Sequence, residues 1–120
     1  GTLFANYIFG LNVIEISSNI RSGANIYISE IFAATGLLLV ILLSRADGKN
    51  VVSFNVGIYI TAALIFTSST SFANPAVTIA RMFTESFTGI NPSTVIFFIS
   101  CQVIGMFAAY ILYNQFFKSK

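Results

Sequence analysis

Three apolar stretches, each close to the length of a membrane-crossing helix, constrain this chain more than any other feature. They cover residues 26–43, 51–66 and 94–113. A helix needs about 20 residues to cross a bilayer core about 30 Å thick, and the middle stretch reaches that length only by continuing to residue 69. Charged residues make up 8% of the chain, against about 25% in soluble domains. The sequence therefore predicts an all-α membrane protein with transmembrane helices at 26–43, 51–69 and 94–113.

Residues 1–11 are apolar but too short to cross a bilayer. They are predicted to be the end of an earlier transmembrane span whose beginning precedes Gly1. The sequence thus predicts a single truncated domain over residues 1–120.

The few positive charges predict which helix ends face the cytoplasm. Four of the six Lys and Arg residues fall on one side of three successive spans: Arg45, Lys49, Lys118 and Lys120. Because cytoplasmic loops carry the excess of Lys and Arg, segments 44–50 and 114–120 are predicted to be cytoplasmic, and segments 12–25 and 87–92 to lie outside. The apolar stretches predict a lipid bilayer as partner, and a net charge of +2 without a basic patch predicts no nucleic-acid partner.

The segment between the second and third spans carries the strongest functional signal. Asn74-Pro75-Ala76 is a helix start, because an Asn side chain caps free backbone N–H groups and Pro favours the first helical position. The helical pattern then predicts a half-helix at 75–86, which rises about half a bilayer. Because this segment must enter and leave on one side, residues 67–74 are predicted to form a re-entrant loop, tolerated at membrane depth only inside protein or beside a watery cavity.

The chemistry expected of such a segment is passive filtration. A half-helix that begins near the midplane places its positive dipole end there and disfavours cations, and Asn74 can turn its amide N–H groups toward a passing solute. The four acids are scattered, histidine is absent and Cys101 is the only cysteine, so no catalytic residue, metal or cofactor is predicted. The alternative is that Asn74-Pro75 is only a helix cap, as Asn91-Pro92 is.

At these residues the chain resembles the major intrinsic protein family, the aquaporins and aquaglyceroporins. The similarity extends over nearly the whole chain, and SFANPAVTIAR is similar to a bacterial subgroup often found with arsenic-resistance genes. The resemblance implies the second half of an inverted-repeat helical bundle, with three full transmembrane helices and one re-entrant half-helix. It also implies the bacterial inner membrane, a homotetramer, and a missing N-terminal half that carries the companion half-helix.

The resemblance implies roles for individual residues. Asn74, Pro75 and Ala76 match the turn at the pore centre. Glu30 matches a buried glutamate whose carboxylate accepts hydrogen bonds from backbone N–H groups of the re-entrant loop. The alternative for Glu30 is a side chain that reaches the lipid headgroups. Gln102 fits the sixth transmembrane helix, where a structural role is expected.

The predicted selectivity filter departs from the family pattern. The resemblance puts the filter positions of this half at Val77, Ser71 and Ala62, and most members have arginine where this chain has Val77. Three small or apolar groups imply a wide filter that passes water, glycerol-like polyols and undissociated arsenite. Arg81, four residues past Val77, lies on about the same helix face and could restore a filter cation. The alternatives are that Arg81 faces headgroups or pairs with Glu85.

The resemblance therefore implies a passive channel for small uncharged solutes, inactive until this half is joined to its missing half. Two other functions stay open. A secondary transporter with a broken helix needs ion-coupling acids or a substrate-binding arginine in its spans, and only Glu30 is available. A truncated membrane protein that transports nothing would give no flux even with its missing half.

Overall fold

The computed structural model describes residues 1–46 and 51–118, and within these ranges the chain is all helical, without strands. The helices are α1 (Thr2–Ile8), α2 (Ala24–Ala46), α3 (Val52–Phe66), α4 (Pro75–Ala80) and α5 (Pro92–Phe116), with a 3-10 turn at Arg81–Phe83 directly after α4. Lys49 and Lys120, which helped to predict the orientation, lie outside the described residues, as do the other residues of 47–50 and 119–120.

Helices α2 and α5 are long and apolar enough to cross a membrane. Their 23 and 25 residues rise about 35–38 Å, more than a bilayer core of about 30 Å. Only 17% of the most apolar window of α2 and 33% of that of α5 are buried within the chain, whereas the core helix of a soluble protein is mostly buried. Their exposed apolar faces therefore require lipid or another apolar protein surface.

Helices α2 and α5 lie side by side and run in the same direction. Tyr27 contacts Phe98 near the start of both helices, and about two turns later the Thr35 hydroxyl donates to the Gly105 carbonyl oxygen at 3.1 Å. Small residues on both helices are fully buried where the two backbones approach: Ala33, Ala34 and Ala109. Such residues permit close helix contact within a membrane.

Helix α3 runs back along α2 and ends earlier than predicted. Its first turn meets the last turns of α2, where the Asn55 amide donates to the Ser44 hydroxyl at 2.8 Å. The helix stops at Phe66, three residues before the predicted end, because Thr67 is extended and its hydroxyl bonds back to the Ala63 carbonyl oxygen at 2.6 Å. The 15 helical residues rise about 22 Å, less than a bilayer core of about 30 Å.

Residues 67–91 leave and return at the same end of α2 and α5. The Ser68 hydroxyl donates to the Asn25 carbonyl oxygen in the first turn of α2. The chain then descends until Asn74 borders a cavity also lined by Met106, close to the midpoint of α5. From there α4 and the residues that follow it return to Asn91, the N-cap of α5. The segment is thus a hairpin of loop and short helix between longer helices.

The half-helix ends at Phe83, whereas the sequence predicts helix over 75–86. The carbonyl oxygens of Arg81 and Met82 do not accept from the residues that would continue the helix. They accept from the backbone N–H groups of Ile90 at 3.2 Å and Ser17 at 2.9 Å. These tertiary hydrogen bonds satisfy the carbonyl groups at the end of the helix, and the helix stops three residues before the predicted end.

Candidate functional site

The carboxylate of Glu30 holds the loop that precedes α4. Glu30 is 0% exposed, so its side chain does not reach the surface. One oxygen accepts from the Ala73 backbone N–H at 2.6 Å and from the Gln102 side-chain amide at 2.7 Å, and the other accepts from the Phe72 N–H at 3.3 Å. A carboxylate buried among apolar helices is stabilised by such hydrogen bonds, and removing it would leave the loop N–H groups without an acceptor.

Gln102 extends this network from α2 and the loop to α4. Its side-chain amide donates to Glu30 and also to the Thr78 hydroxyl at 2.7 Å, and that hydroxyl donates to the Asn74 carbonyl oxygen at 3.0 Å. The sequence predicted only a structural role for Gln102. A lone amide within an apolar helix is the signal that could have identified it, because such groups find polar partners inside the protein.

The loop itself has an unusual backbone. Thr70, Ser71 and Ala73 have φ values of 60°, 45° and 50°, in the left-handed region that residues other than glycine rarely adopt. Each such residue costs about 1–3 kcal/mol and persists only where its surroundings hold it. The hydroxyls of Thr70 and Ser71 are buried without a hydrogen-bond partner. Strain and unpartnered polar atoms in so short a segment are typical of a functional site.

Asn74 begins α4 at a cavity between the long helices. Its side-chain oxygen accepts from the Ala76 N–H at 2.8 Å, and Pro75 occupies the first turn. Asn74 itself is exposed, so its side-chain N–H groups remain available to another molecule. The cavity measures about 220 Å³, and its other lining residues are apolar: Ala34, Leu37, Leu38, Ile41, Ala73, Pro75 and Met106.

The predicted filter residues are only partly brought together. Ser71 is buried in the loop, and Val77, in the first turn of α4, packs against the cluster that contains Phe72. Ala62 is instead exposed on α3, where it lines a separate groove of about 580 Å³ together with Ile65. Within this chain, Ser71 and Val77 therefore share one region that Ala62 does not enter.

The expected pairing of Arg81 with Glu85 is not made. The Glu85 carboxylate accepts from the backbone N–H and hydroxyl of Ser18. The Arg81 guanidinium carbon instead lies 4.2 Å from the centre of the Phe72 ring, and one of its terminal nitrogens is buried without a partner. Because Glu85 follows the end of the helix, it no longer lies one turn above Arg81 on the same face.

Arg21 is a site residue that the sequence did not reveal. It belongs to the loop before α2, is only 7% exposed, and donates to the carbonyl oxygens of Gly89 at 2.8 Å, Ser69 at 3.3 Å and Phe87 at 2.6 Å. Its guanidinium carbon lies 5.0 Å from the centre of the Phe72 ring. A single arginine in a polar loop gives no sequence signal for burial, so only the tertiary structure identifies it.

The Ser18–Glu85 contact predicts a pH dependence of the loop before α2. Hydrogen bonds from the side chain and backbone of Ser18 lower the pKa of Glu85 below its ordinary value of 4.5. Because the folded-state pKa is depressed, the contact is fully present above the ordinary value and is lost as pH falls through the lowered pKa. We expect the Ser18 amide to stay protected from hydrogen exchange at pH 4.5 and to lose protection only at lower pH. Loss of protection above pH 4.5, or the same profile in Glu85→Gln, would contradict this assignment.

Comparison with known proteins gives one informative relative. No family model matches the chain, and no solved structure matches it. The chain is 42% identical over 112 residues to the protein named "Aquaglyceroporin AqpS" from Rhizobium meliloti (strain 1021). The alignment covers 93% of this chain and 48% of the relative, so the chain spans about half the length of the relative it matches.

Proposed function

This chain belongs to the major intrinsic protein family, and on that premise we propose that its parent protein is a passive channel for small uncharged solutes. Membership of this family also argues for a protein that is not an enzyme. The described residues are all helical, with two helices able to cross a membrane. In detail, the chain would form the second half of the bundle, with α2 and α5 as full spans, α3 together with the extended residues that follow it as the third span, and residues 67–83 as the re-entrant loop and half-helix.

The observation that carries the proposal is the start of α4 at mid-height between the long helices. Asn74 borders the 220 Å³ cavity there, with Leu37 and Met106 close to the midpoints of α2 and α5. A polar amide in an otherwise apolar wall is suited to guiding uncharged solutes that hydrogen-bond, because the wall offers charged species no compensation for lost hydration. The buried hydrogen bonds of Glu30 support this geometry by holding the loop that leads to Asn74.

We further propose that Asn74, Pro75 and Ala76 form this half's pore centre and that Glu30 supports the loop. An N-terminal half joined to residues 1–11 would complete the wall of the pore. The open side of the cavity and the exposed apolar faces of α2 and α5 support this part of the proposal. A homotetramer in the bacterial inner membrane, with 44–50 and 114–120 on the cytoplasmic side, is part of the same proposal.

The proposed solutes are water, glycerol-like polyols and undissociated arsenite. The relative's name contains "aquaglyceroporin", which supports the polyols. An apolar Val77 in the region of Ser71 would give a filter wide enough for such solutes, whereas Ala62 faces a separate groove within this chain. The guanidinium of Arg81 contacts the Phe72 ring, against whose cluster Val77 also packs.

Substituting Val77 by arginine tests the function and the filter together. In proteoliposomes that contain the full-length parent protein, we expect rapid, non-saturable entry of glycerol and arsenous acid, followed by stopped-flow light scattering. Val77→Arg should slow both roughly tenfold or more, which corresponds to an added barrier of about 1.4 kcal/mol, because a long cation narrows the opening. Val77→Met is the matched control that adds length without charge, and it should slow entry less.

Three other results of this vesicle experiment would contradict part or all of the proposal. Water flux alone, unchanged by Val77→Arg, would contradict Val77 as a filter residue and favour Arg81. Saturable flux coupled to an ion gradient would favour the secondary transporter. Flux no greater than that of empty vesicles would overturn the channel proposal and leave a membrane protein that transports nothing.

A further inference from the structure

A second cavity lies between α1 and the segment that follows α4. It measures about 470 Å³, within the range of about 300–1,000 Å³ that is typical of small-molecule sites. The Asn6 side chain ties its two walls together, because the amide donates to the carbonyl oxygen of Phe83 at 2.8 Å and to that of Val13 at 3.2 Å. This outer cavity shares no lining residue with the cavity at Asn74, so it is a separate feature.

The outer cavity is lined by a cation and by hydroxyl groups. Arg81 and the side chains of Thr84, Ser86 and Thr88 contribute to its wall, and no acid of the described residues does. The hydroxyl oxygens of Ser86 and Thr88 lie 3.2 Å apart. A guanidinium with neighbouring hydroxyl groups suits an oxyanion that has several acceptor oxygens, and phosphate is the group that arginine binds best in this way.

The charge of Arg81 is not paired within the part of the chain that the structure describes. Its guanidinium carbon lies 4.2 Å from the centre of the Phe72 ring, and one terminal nitrogen is buried without a partner. Glu30 attracts Arg81 through space, but its carboxylate is bonded to the loop and to α5. The Glu85 carboxylate is bonded to the segment before α2. A bound anion would therefore supply the partner that Arg81 lacks.

The rest of the outer cavity is apolar and lies at the end of the bundle predicted to be outside. Phe9 and Phe87 line it, and each is 79% exposed. The Phe87 carbonyl oxygen accepts from Arg21, just before α2. Aromatic side chains beside a cation at the ends of membrane helices are typical of the headgroup region. Free phosphate would leave the two rings in water, so an amphipathic ligand is favoured.

We propose that the outer cavity binds the phosphate group of an anionic phospholipid of the outer leaflet. Arg81 donates to the phosphate oxygens, Thr84 and Ser86 add hydroxyl groups, and the rings of Phe9 and Phe87 lie against the glycerol and the first carbons of the chains. The inference goes beyond the proposed channel function, because such a site requires only the membrane setting. The lipid would join α1 to the end of the half-helix.

The test is a lipid titration of the full-length parent protein in a neutral detergent. A ligand that binds the folded state raises the unfolding midpoint as its concentration rises. We expect phosphatidylglycerol to raise the midpoint, and phosphatidylcholine and glycerol 3-phosphate to do so only at roughly tenfold higher concentration or more. Arg81→Gln should raise the apparent Kd for phosphatidylglycerol roughly tenfold, because it removes the charged donor. Arg45→Gln is the matched control, since Arg45 is exposed at the far end of α2, and it should leave the Kd unchanged.

Two further variants keep the test decisive if Arg81→Gln does not fold. Arg81→Lys keeps the charge but lacks the planar fork that matches phosphate, and Phe87→Ser removes an exposed apolar wall while the backbone carbonyl that Arg21 uses stays in place. Each should weaken phosphatidylglycerol binding severalfold. Wild-type affinity in both variants would overturn the proposal.

The remaining outcomes also bear on the lipid site. Equal weakening by Arg45→Gln would show a general attraction between positive protein and negative lipid, and would overturn the assignment to this cavity. Equal affinity for glycerol 3-phosphate would overturn the lipid as ligand. The absence of any midpoint shift in the wild type would overturn the site altogether, as expected if the N-terminal half covers the cavity. Phosphatidylglycerol binding by a parent protein that passes no glycerol would overturn only the proposed channel function.

Discussion

Replacing Glu30 by alanine is expected to abolish solute flux and to lower the thermal midpoint of the protein more than any other single change in the site. The substitution leaves the N–H groups of Ala73 and Phe72 buried without an acceptor, and each such group costs about 1–3 kcal/mol. The loop it holds is already strained at three positions. Without the carboxylate, the loop loses the hydrogen bonds that offset this strain, and Asn74 loses its fixed position.

Two further variants separate the effect of the Glu30 charge from that of its shape, and from the effect of removing an acid elsewhere in the chain. Glu30→Gln keeps the shape and one acceptor oxygen but brings an NH₂ group toward the donors of the loop, so we expect an intermediate loss. Glu15→Ala removes an acid that bonds only the Asn12 side chain in an exposed loop, and it should leave flux and midpoint unchanged. The measurements are glycerol entry into proteoliposomes and the unfolding midpoint in detergent. Wild-type flux in Glu30→Ala would show that the loop holds its shape without the carboxylate.

Much of the helical frame follows from the sequence because it depends on local patterns. The apolar runs predict α2 and α5 to within three residues at each end, since length and composition alone decide whether a segment suits a bilayer. The caps at Asn74 and Asn91 form as the Asn-Pro pairs predict, each with its side-chain oxygen bonded two residues on.

The remainder depends on contacts between residues far apart in the chain. The half-helix stops at Phe83 because Ser17 and Ile90 donate to its last carbonyl oxygens, and neither partner is visible in the local pattern. Arg21 is buried because carbonyl oxygens of Ser69, Phe87 and Gly89 converge on it. Backbone acceptors carry no side-chain signature, so composition and spacing could not have predicted that site.

Replacing Gly105 by leucine is expected to separate α2 from α5 and to lose both stability and flux. A Cβ atom at this position would lie 2.5 Å from the Ile31 carbonyl oxygen and 2.9 Å from the Ala34 Cβ, which is closer than real side chains approach. Both obstacles belong to the body of α2, so relief requires the helix to move rather than a side chain to turn. Overpacking of this kind costs about 1–3 kcal/mol, or more for a large side chain.

The loss of flux in Gly105→Leu is expected because the contact between α2 and α5 at Gly105 lies beside Glu30 and Gln102. Ile31 is next to Glu30, and Gln102 is less than one helical turn from Gly105, so a shift between the helices lengthens the 2.7 Å hydrogen bond from Gln102 to Glu30 and loosens the loop. Gly57→Leu is the matched control, since a Cβ atom at Gly57 of α3 meets nothing within 4 Å. The detergent midpoint and glycerol entry should fall in Gly105→Leu alone. Equal falls in both variants would mean that the close approach of α2 and α5 is not what holds the network in place.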